Sequence, residues 1–102
     1  MQKEAKSMRQ IVDGKLYDTE KVRLVASDHY WDGHNWDRHG RNVYLYKTVK
    51  GSFFLYRTTR WQGERDYIEP VTKEEAKYWY EQLPEHEMEY EEAFGEPPEE
   101  AW

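Results

Sequence analysis

Hydrophobic residues near the start of the chain flank one strong turn signal. Ile11-Val12 precedes the dipeptide Asp13-Gly14, and Leu16-Tyr17 follows it. This dipeptide is typical of a two-residue hairpin loop, because both loop positions need a positive φ, which aspartate and glycine tolerate. The pattern predicts a tight β-hairpin between about residues 9 and 17.

The next segment has a helical spacing instead. Val22, Val25 and Ala26 follow the i, i+3, i+4 pattern of a helix face, and Thr19 is a suitable N-cap residue. The spacing predicts a short helix from Thr19 to about Ser27. A helix of this length depends on packing for its stability.

The longest alternating pattern covers residues 42–60 and predicts a second hairpin around the loop Val49-Lys50-Gly51, where glycine supplies a left-handed residue. A three-residue loop with a glycine bulge sets a register that places aromatic side chains on one face and aliphatic ones on the other. The predicted cross-strand pairs are Tyr44 with Tyr56, Tyr46 with Phe54, Leu45 with Leu55, and Val43 with Arg57. Residues 67–71 predict a third strand at a sheet edge, because Pro70 has no N–H to donate.

Two helices are predicted in the last third of the chain. Thr72 and Glu75 have the spacing of a capping box, and Pro84 ends the helix that it opens. The apolar stripe of this first helix consists of Ala76, Trp79, Tyr80 and Leu83. A second, acidic helix is predicted from Glu85 to Phe94, with Gly95 as its left-handed C-cap.

These elements predict an α+β fold with an N-terminal β-hairpin, a short helix, a central antiparallel sheet, and one or two C-terminal helices packed on the sheet. With 102 residues the chain has room for one modest core. We expect a single domain over 9–95, a disordered N-terminal extension over 1–8 and an acidic flexible tail over 96–102. The chain lacks cysteine and any apolar run of signal-peptide or membrane-span length, so we expect a soluble cytoplasmic protein.

Residues 29–39 carry the most unusual pattern, a pentad His-x-Trp-Asp-x that is written twice and begun a third time. Its candidate metal ligands are His29, His34 and His39, with Asp28, Asp32 and Asp37 between them. Imidazole and carboxylate groups suit Zn, Ni or Co, but the i, i+5, i+10 spacing fits neither helix nor hairpin geometry. We favour a loop that Trp31 and Trp36 anchor in the core, and we expect no cofactor.

Charge is divided unevenly along the chain, whose net charge is −6. Residues 1–65 contain 13 Lys and Arg against 8 Asp and Glu, whereas residues 66–102 contain 2 against 13. This division argues against wrapping of DNA by the whole molecule and leaves open a basic partner. The candidate partner-binding residues, on a predicted acidic helical face, are Glu74, Glu81, Glu85, Glu87, Glu91 and Glu92.

Three segments resemble a family of small, acidic, uncharacterised proteins found on plasmids, integrative elements and phages. They are IVDGKLYDTEKVRLVAS, LYKTVKGSFFLYR, and PVTKEEAKYWYEQ with a following FG. The family pattern has no histidine-rich loop before the second hairpin, so the resemblance implies nothing about the pentads. It implies a mobile-element setting, in which a small module such as an anti-CRISPR or other anti-defence inhibitor binds a host protein.

Binding of single-stranded nucleic acid remains an alternative, because aromatic rings stack on bases and cations contact phosphates. The candidate residues lie in and next to the second hairpin: Tyr44, Tyr46, Lys47, Lys50, Phe54, Tyr56, Arg57 and Arg60. The same rings could instead form the core against Trp79 and Tyr80, which we favour for so small a domain. The sequence has no Gly-rich phosphate loop and no H-E-x-x-H motif, so we predict no catalytic residue and expect a non-enzymatic binding protein.

Overall fold

The computed structural model describes residues 7–28, 41–59 and 62–101. Its strands are β1 (Arg9–Val12), β2 (Lys15–Asp18), β3 (Arg23–Ser27), β4 (Arg41–Lys47), β5 (Phe53–Thr59), β6 (Tyr67–Val71) and β7 (Glu85–His86), and its helices are α1 (Lys73–Gln82) and α2 (Tyr90–Phe94). β1 and β2 form a separate hairpin, and the other strands form an antiparallel sheet in the order β6-β5-β4-β3-β7. The predicted α+β fold is confirmed.

The N-terminal hairpin turns where the sequence predicts. Asp13 has a φ of 52° and Gly14 a φ of 77°, the two positive values that this turn needs. Met8, just before β1, is already part of the fold: its N–H donates to Thr19 Oγ1 at 3.0 Å, and its carbonyl accepts from Thr19 N at 3.0 Å. These bonds tie the start of β1 to the end of β2.

The β4–β5 hairpin has the predicted register, including all four predicted cross-strand pairs. Its loop is closed by a hydrogen bond of 2.8 Å from Thr48 N to Ser52 O, and Gly51 has a φ of 91°. Because side chains alternate across a strand, this register separates two buried clusters. The aromatic cluster contains Tyr44, Tyr46, Phe54, Tyr56 and Ile68, and the helix-side cluster includes Val25, Ala26, Leu45, Phe53, Leu55, Ala76, Tyr80, Leu83, Met88, Ala93 and Phe94.

The two clusters lie on opposite faces of the sheet. The element that covers the aromatic cluster is not the one that we predicted. We expected the hairpin aromatics to pack against the Trp79 and Tyr80 face of α1, but these two residues belong to the helix-side cluster. The aromatic cluster instead packs against Met8, Tyr17, Val22 and Leu24. The Tyr17 ring meets the Phe54 ring edge-on, with centroids 5.2 Å apart. Both faces of the sheet are therefore buried. α1 and α2 cover one face, and residues 8–22, which we call the N-terminal segment, cover the other.

The short helix predicted from Thr19 to Ser27 is wrong. One 3₁₀ turn covers Thr19–Lys21, and it is capped by Asp18 rather than by Thr19, since Asp18 Oδ1 accepts from Glu20 N at 2.9 Å. The rest of the segment is β3, which has a bulge between Leu24 and Ala26. A bulge inserts one residue and breaks the two-residue period, so Leu24 packs with the aromatic cluster while Val25 and Ala26 both enter the helix-side cluster. The resulting i, i+3, i+4 pattern imitates a helix face.

The first C-terminal helix is confirmed. Thr72 Oγ1 accepts from Glu75 N at 3.1 Å, and Glu75 Oε1 accepts from Thr72 N at 2.9 Å, which completes the predicted capping box. In the predicted apolar stripe, Ala76, Tyr80 and Leu83 are buried and Trp79 is half-buried.

The second helix is shorter than predicted. Glu85–His86 is the short strand β7, which pairs with Ala26 and Ser27 of β3, and α2 begins only at Tyr90. This difference has the same origin as the wrong helix at residues 19–27. Because residues 23–27 form a strand, its outer edge is open to pairing, and β7 pairs with it. Gly95 ends α2 with a φ of 80°, as predicted.

The opposite edge of the sheet, formed by β6, has its outward backbone donors occupied or removed. Ile68 N donates outward to Gln10 Oε1 of β1 at 2.8 Å. N–H groups on one edge recur every second residue, so the next two positions are Pro70, which has no N–H, and Thr72, whose N–H donates to Glu75. These outward positions of β6 therefore offer no free N–H group to another strand.

Asp28 directly follows β3 and forms hydrogen bonds to β4. Its buried carboxylate oxygen Oδ1 accepts from Val43 N at 2.9 Å and from Asn42 Nδ2 at 3.1 Å. The backbone N–H of Asp28 also donates to Val43 O at 3.2 Å. The aspartate that the sequence places beside the pentads thus extends the pairing of β3 with β4.

We expect the substitution Asp28→Ala to lower the free energy of unfolding by about 1–3 kcal/mol, because it leaves the partly buried donors of Asn42 and Val43 without this acceptor. Asp28→Asn keeps an oxygen at this position and should cost less than half as much. Urea denaturation measures both, with Glu20→Ala as a control that removes an exposed carboxylate from the 3₁₀ turn before β3. Equal stability of the Asp28→Ala and Glu20→Ala variants would contradict the role of Asp28.

The buried tyrosines predict a loss of stability at high pH. Burial, with a contribution from Asp66, raises the pKa of Tyr56 to about 12, and burial also raises the pKa of Tyr44. The unfolded chain has a tyrosine pKa of about 10, so the unfolded state loses its phenol protons first. The stabilisation is complete below about pH 10 and is lost as the pH rises through about 12.

The double variant Tyr44→Phe/Tyr56→Phe should therefore show a shallower decline in the free energy of unfolding across this pH range than the unmodified protein. Urea titrations at a series of alkaline pH values provide the comparison. Identical slopes for the two proteins would show that these phenols do not control alkaline unfolding.

Candidate interaction surfaces

The six predicted partner-binding glutamates lie on α1, β7 and α2 and on the residues between these elements. We call the surface that these glutamates form the acidic surface. Glu74 and Glu81 are on α1, Glu85 is in β7, Glu87 follows it, and Glu91 and Glu92 are in α2. All are exposed except Glu85, which is half-buried. The predicted helical face is corrected in one respect: residues 85–89 are not helical, so α1, β7 and α2 share the charges.

The outer side of α1 has an exposed aromatic ring between two carboxylates. Glu74, Tyr78 and Glu81 follow an i, i+4, i+7 spacing, which places them on one face, opposite the buried residues Ala76 and Tyr80. The Tyr78 side chain is 57% exposed. Tyr78 is not among the residues predicted from the sequence, although an aromatic residue on the polar side of an amphipathic helix is a visible signal.

Ion pairs within the protein engage part of this region. Arg23 Nη2 lies 2.8 Å from Glu92 Oε2, and Lys47 Nζ donates to Glu92 O at 3.1 Å. Lys77 Nζ lies 2.6 Å from Glu96 Oε2, which lowers the pKa of Glu96 and raises that of Lys77. Glu92 therefore joins α2 to β3 and β4, and Lys77 on the flank of α1 pairs with Glu96 rather than with Glu74 or Glu81.

The nucleic-acid alternative depends on rings that the structure buries. Tyr44, Tyr46, Phe54 and Tyr56 form the aromatic cluster, each at most 7% exposed. A ring in this position cannot stack on a base unless the covering segment moves away.

The cations of that alternative are dispersed. Arg57 pairs with Glu69 at 2.8 Å and lies over the Trp79 ring on the helix side, while Lys47 contacts Glu92. Lys50 is exposed in the β4–β5 loop, and Arg60 lies outside the described residues. The structure thus places Lys47 and Arg57 on the helix side, away from the predicted rings.

A cleft of about 660 Å³ lies between β2 and the β4–β5 loop, and we call it the basic cleft. Its lining residues are Arg9, Lys15, Leu16, Tyr17, Asp18, Lys21, Val22, Thr48, Val49, Lys50, Ser52 and Phe54. The residues come from three segments of the sequence, so no single local pattern predicts the cleft.

The candidate metal ligands His29, His34 and His39, and the tryptophans Trp31 and Trp36, lie outside the described residues. Within 7–28, 41–59 and 62–101, no group of three His, Asp or Glu side chains could hold a metal ion. His86, in β7, stacks on Tyr80 with ring centroids 3.9 Å apart, and its Nε2 donates to Tyr80 O at 2.8 Å.

Neither helix among the described residues is long and apolar enough to cross a membrane. No protein-family model matches the chain, and neither does a curated protein or a solved structure.

Proposed function

We propose that this protein is a non-enzymatic interaction module that acts in the cytoplasm and binds a basic surface of a host protein through its acidic surface. The observation that carries the proposal is the exposed Tyr78 ring between Glu74 and Glu81 on the outer side of α1. This stripe offers both charge and a contact area for a partner.

The two kinds of side chain have different roles in binding. Tyrosine is enriched among the residues that dominate binding energy, because its ring buries a large area and its hydroxyl still forms hydrogen bonds. Carboxylates around such a ring attract a basic partner and increase the rate of association. A surface that only kept the protein in solution would need the charges but not the exposed ring.

The geometry of α1 favours this role further. The capping box fixes the start of the helix, and Ala76, Tyr80 and Leu83 hold its inner side against the sheet. Glu74 and Tyr78 are therefore presented on a packed element, so the backbone at the binding surface loses little freedom on association.

The resemblance to small proteins of plasmids, integrative elements and phages supports a more specific version of the proposal. In that setting the partner is a host protein, and an anti-CRISPR or other anti-defence inhibitor is the module that we favour. Many host nucleases and effector complexes have basic grooves for nucleic acid, and a compact acidic surface is electrostatically complementary to such a groove.

Affinity purification from a lysate of the native host tests the proposal, with binding then measured on the purified partner. We expect the variant Glu74→Lys/Glu81→Lys to bind at least about tenfold more weakly, because the reversed charges repel a basic partner. The control is Glu99→Lys/Glu100→Lys, which makes the same charge change at exposed positions after α2. Equal losses in both variants would indicate a general charge effect and contradict the proposed surface.

The aromatic contact has its own test. Tyr78→Ala should weaken binding of the same partner by about 2 kcal/mol, roughly 30-fold, with little effect on the salt dependence of binding. Tyr78→Phe keeps the ring and should retain most of the affinity. Full retention of binding by Tyr78→Ala would remove the ring from the interface.

A further inference from the structure

The basic cleft has the opposite charge to the acidic surface. Four cationic side chains line it, from Arg9, Lys15, Lys21 and Lys50, against the single carboxylate of Asp18. That carboxylate is already engaged, because Asp18 Oδ2 lies 3.5 Å from Arg9 Nε and Oδ1 accepts from Glu20 N. The lining therefore has an excess of positive charge that an acidic ligand would complement.

Exposed aliphatic side chains also line the cleft. Leu16 of β2 is 56% exposed and Val49 of the β4–β5 loop is 90% exposed, values that are high for side chains with no polar atom. Tyr17 and Phe54 contribute apolar surface at its base, where their rings meet edge-on. An apolar group in the cleft would remove surface of both Leu16 and Val49 from water, which favours binding.

The backbone of β2 adds a third feature. Val12 and Lys15 flank the two-residue turn and form a hydrogen-bonded pair, so the next pair, Ile11 with Leu16, is a non-hydrogen-bonded one. The N–H and C=O groups of Leu16 therefore point away from β1. β1 lies beside β6, through the bond from Ile68 N to Gln10, and all four residues of β2 line the cleft. The outer edge of β2 thus borders the basic cleft.

We propose that the basic cleft binds an extended acidic peptide segment of a protein partner, which pairs with the outer edge of β2 as a third strand of the N-terminal hairpin. Main-chain hydrogen bonds to Leu16 supply affinity in this mode, and side-chain contacts supply specificity. Acidic side chains of the peptide reach Lys15, Lys21 and Lys50, and an apolar side chain enters between Leu16 and Val49. β2 has four residues, so the paired part of the peptide is about 13 Å long.

A peptide fits these features better than a single-stranded nucleic acid. Both would find cations, but a nucleic acid also needs exposed rings for its bases. At this site Phe54 is buried, and Tyr17 is half-buried with its ring against Phe54. Among the described residues, the outward edge of β2 suits a polypeptide backbone, and the two exposed aliphatic side chains suit an apolar side chain of a peptide. The proposal does not depend on the function of the acidic surface, because no residue belongs to both surfaces.

The test uses the full chain and two fluorescein-labelled heptapeptides of alternating Glu and Leu, one beginning with each residue. Fluorescence polarisation should show saturable binding of at least one peptide, and binding should weaken as salt rises. The variant Lys15→Glu/Lys50→Glu should lower the affinity at least about tenfold, since two attractive contacts become repulsive. The control is Arg65→Glu/Lys73→Glu, which makes the same charge change at exposed positions outside the cleft.

Two further measurements separate strand pairing from simple charge attraction. N-methylation of alternate peptide nitrogens removes donors from one edge of the peptide, so one of the two methylation patterns should abolish binding and the other should not. Val49→Ser should weaken binding several-fold without changing the salt dependence. Since Lys15, Val49 and Lys50 are exposed, we expect the melting temperatures of these variants to stay unchanged.

Several results would overturn the proposal. Failure of both peptides to bind at low salt would do so, and equal binding of the two methylation patterns would exclude pairing with β2. An oligothymidine that displaces the peptide and binds more tightly, with the same sensitivity to Lys15→Glu/Lys50→Glu, would make the cleft a nucleic-acid site. A concentration-dependent dimer that the same variant dissociates would identify a second copy of the chain as the occupant.

Discussion

The register of the β4–β5 hairpin determines what every other element of this protein has to cover. By pairing Tyr44 with Tyr56 and Leu45 with Leu55, it makes both faces of the central sheet hydrophobic. A sheet with two hydrophobic faces needs a layer on each side. α1 and α2 cover one face, and the N-terminal segment covers the other. Gly51, in the left-handed conformation, favours this register, and a slip of one residue in one strand would mix aromatic and aliphatic side chains on both faces.

The sequence predicts the elements whose signals are local. The Asp13-Gly14 turn, the loop at Gly51 and the capping box of Thr72 with Glu75 each depend on a few neighbouring residues, and all three are confirmed. The helix predicted over residues 19–27 is wrong because the bulge after Leu24 gives a strand the spacing of a helix. Only the pairing of β3 with β4 and β7, which are distant in sequence, distinguishes a strand from a helix here. For the same reason, the second helix was predicted to begin too early, at Glu85.

The candidate surfaces also differ in whether they depend on local signals or on contacts between distant residues. Exposure of the glutamates on α1 could be predicted from its helical period, because the buried stripe fixes the outer side. Burial of Tyr44 and Tyr56 under the N-terminal segment could not, since it depends on contacts between residues far apart in the chain. The basic cleft joins β2 to the β4–β5 loop in the same way. The excess of positive charge could be predicted from the composition of the first 65 residues, but the apolar side chains that line the cleft could not.

The N-terminal hairpin connects the stability of the sheet with the proposed binding edge. Its inner side covers the aromatic cluster through Tyr17, and its strand β1 occupies the donor of Ile68 at the edge of the sheet. In this hairpin β1 lies beside β6, whereas the outer edge of β2 lies among cations. Lysine on an edge strand discourages pairing with strands of other copies that carry the same positive charge, yet it attracts an acidic strand. The same residues can therefore protect the protein from association with itself and select an acidic partner.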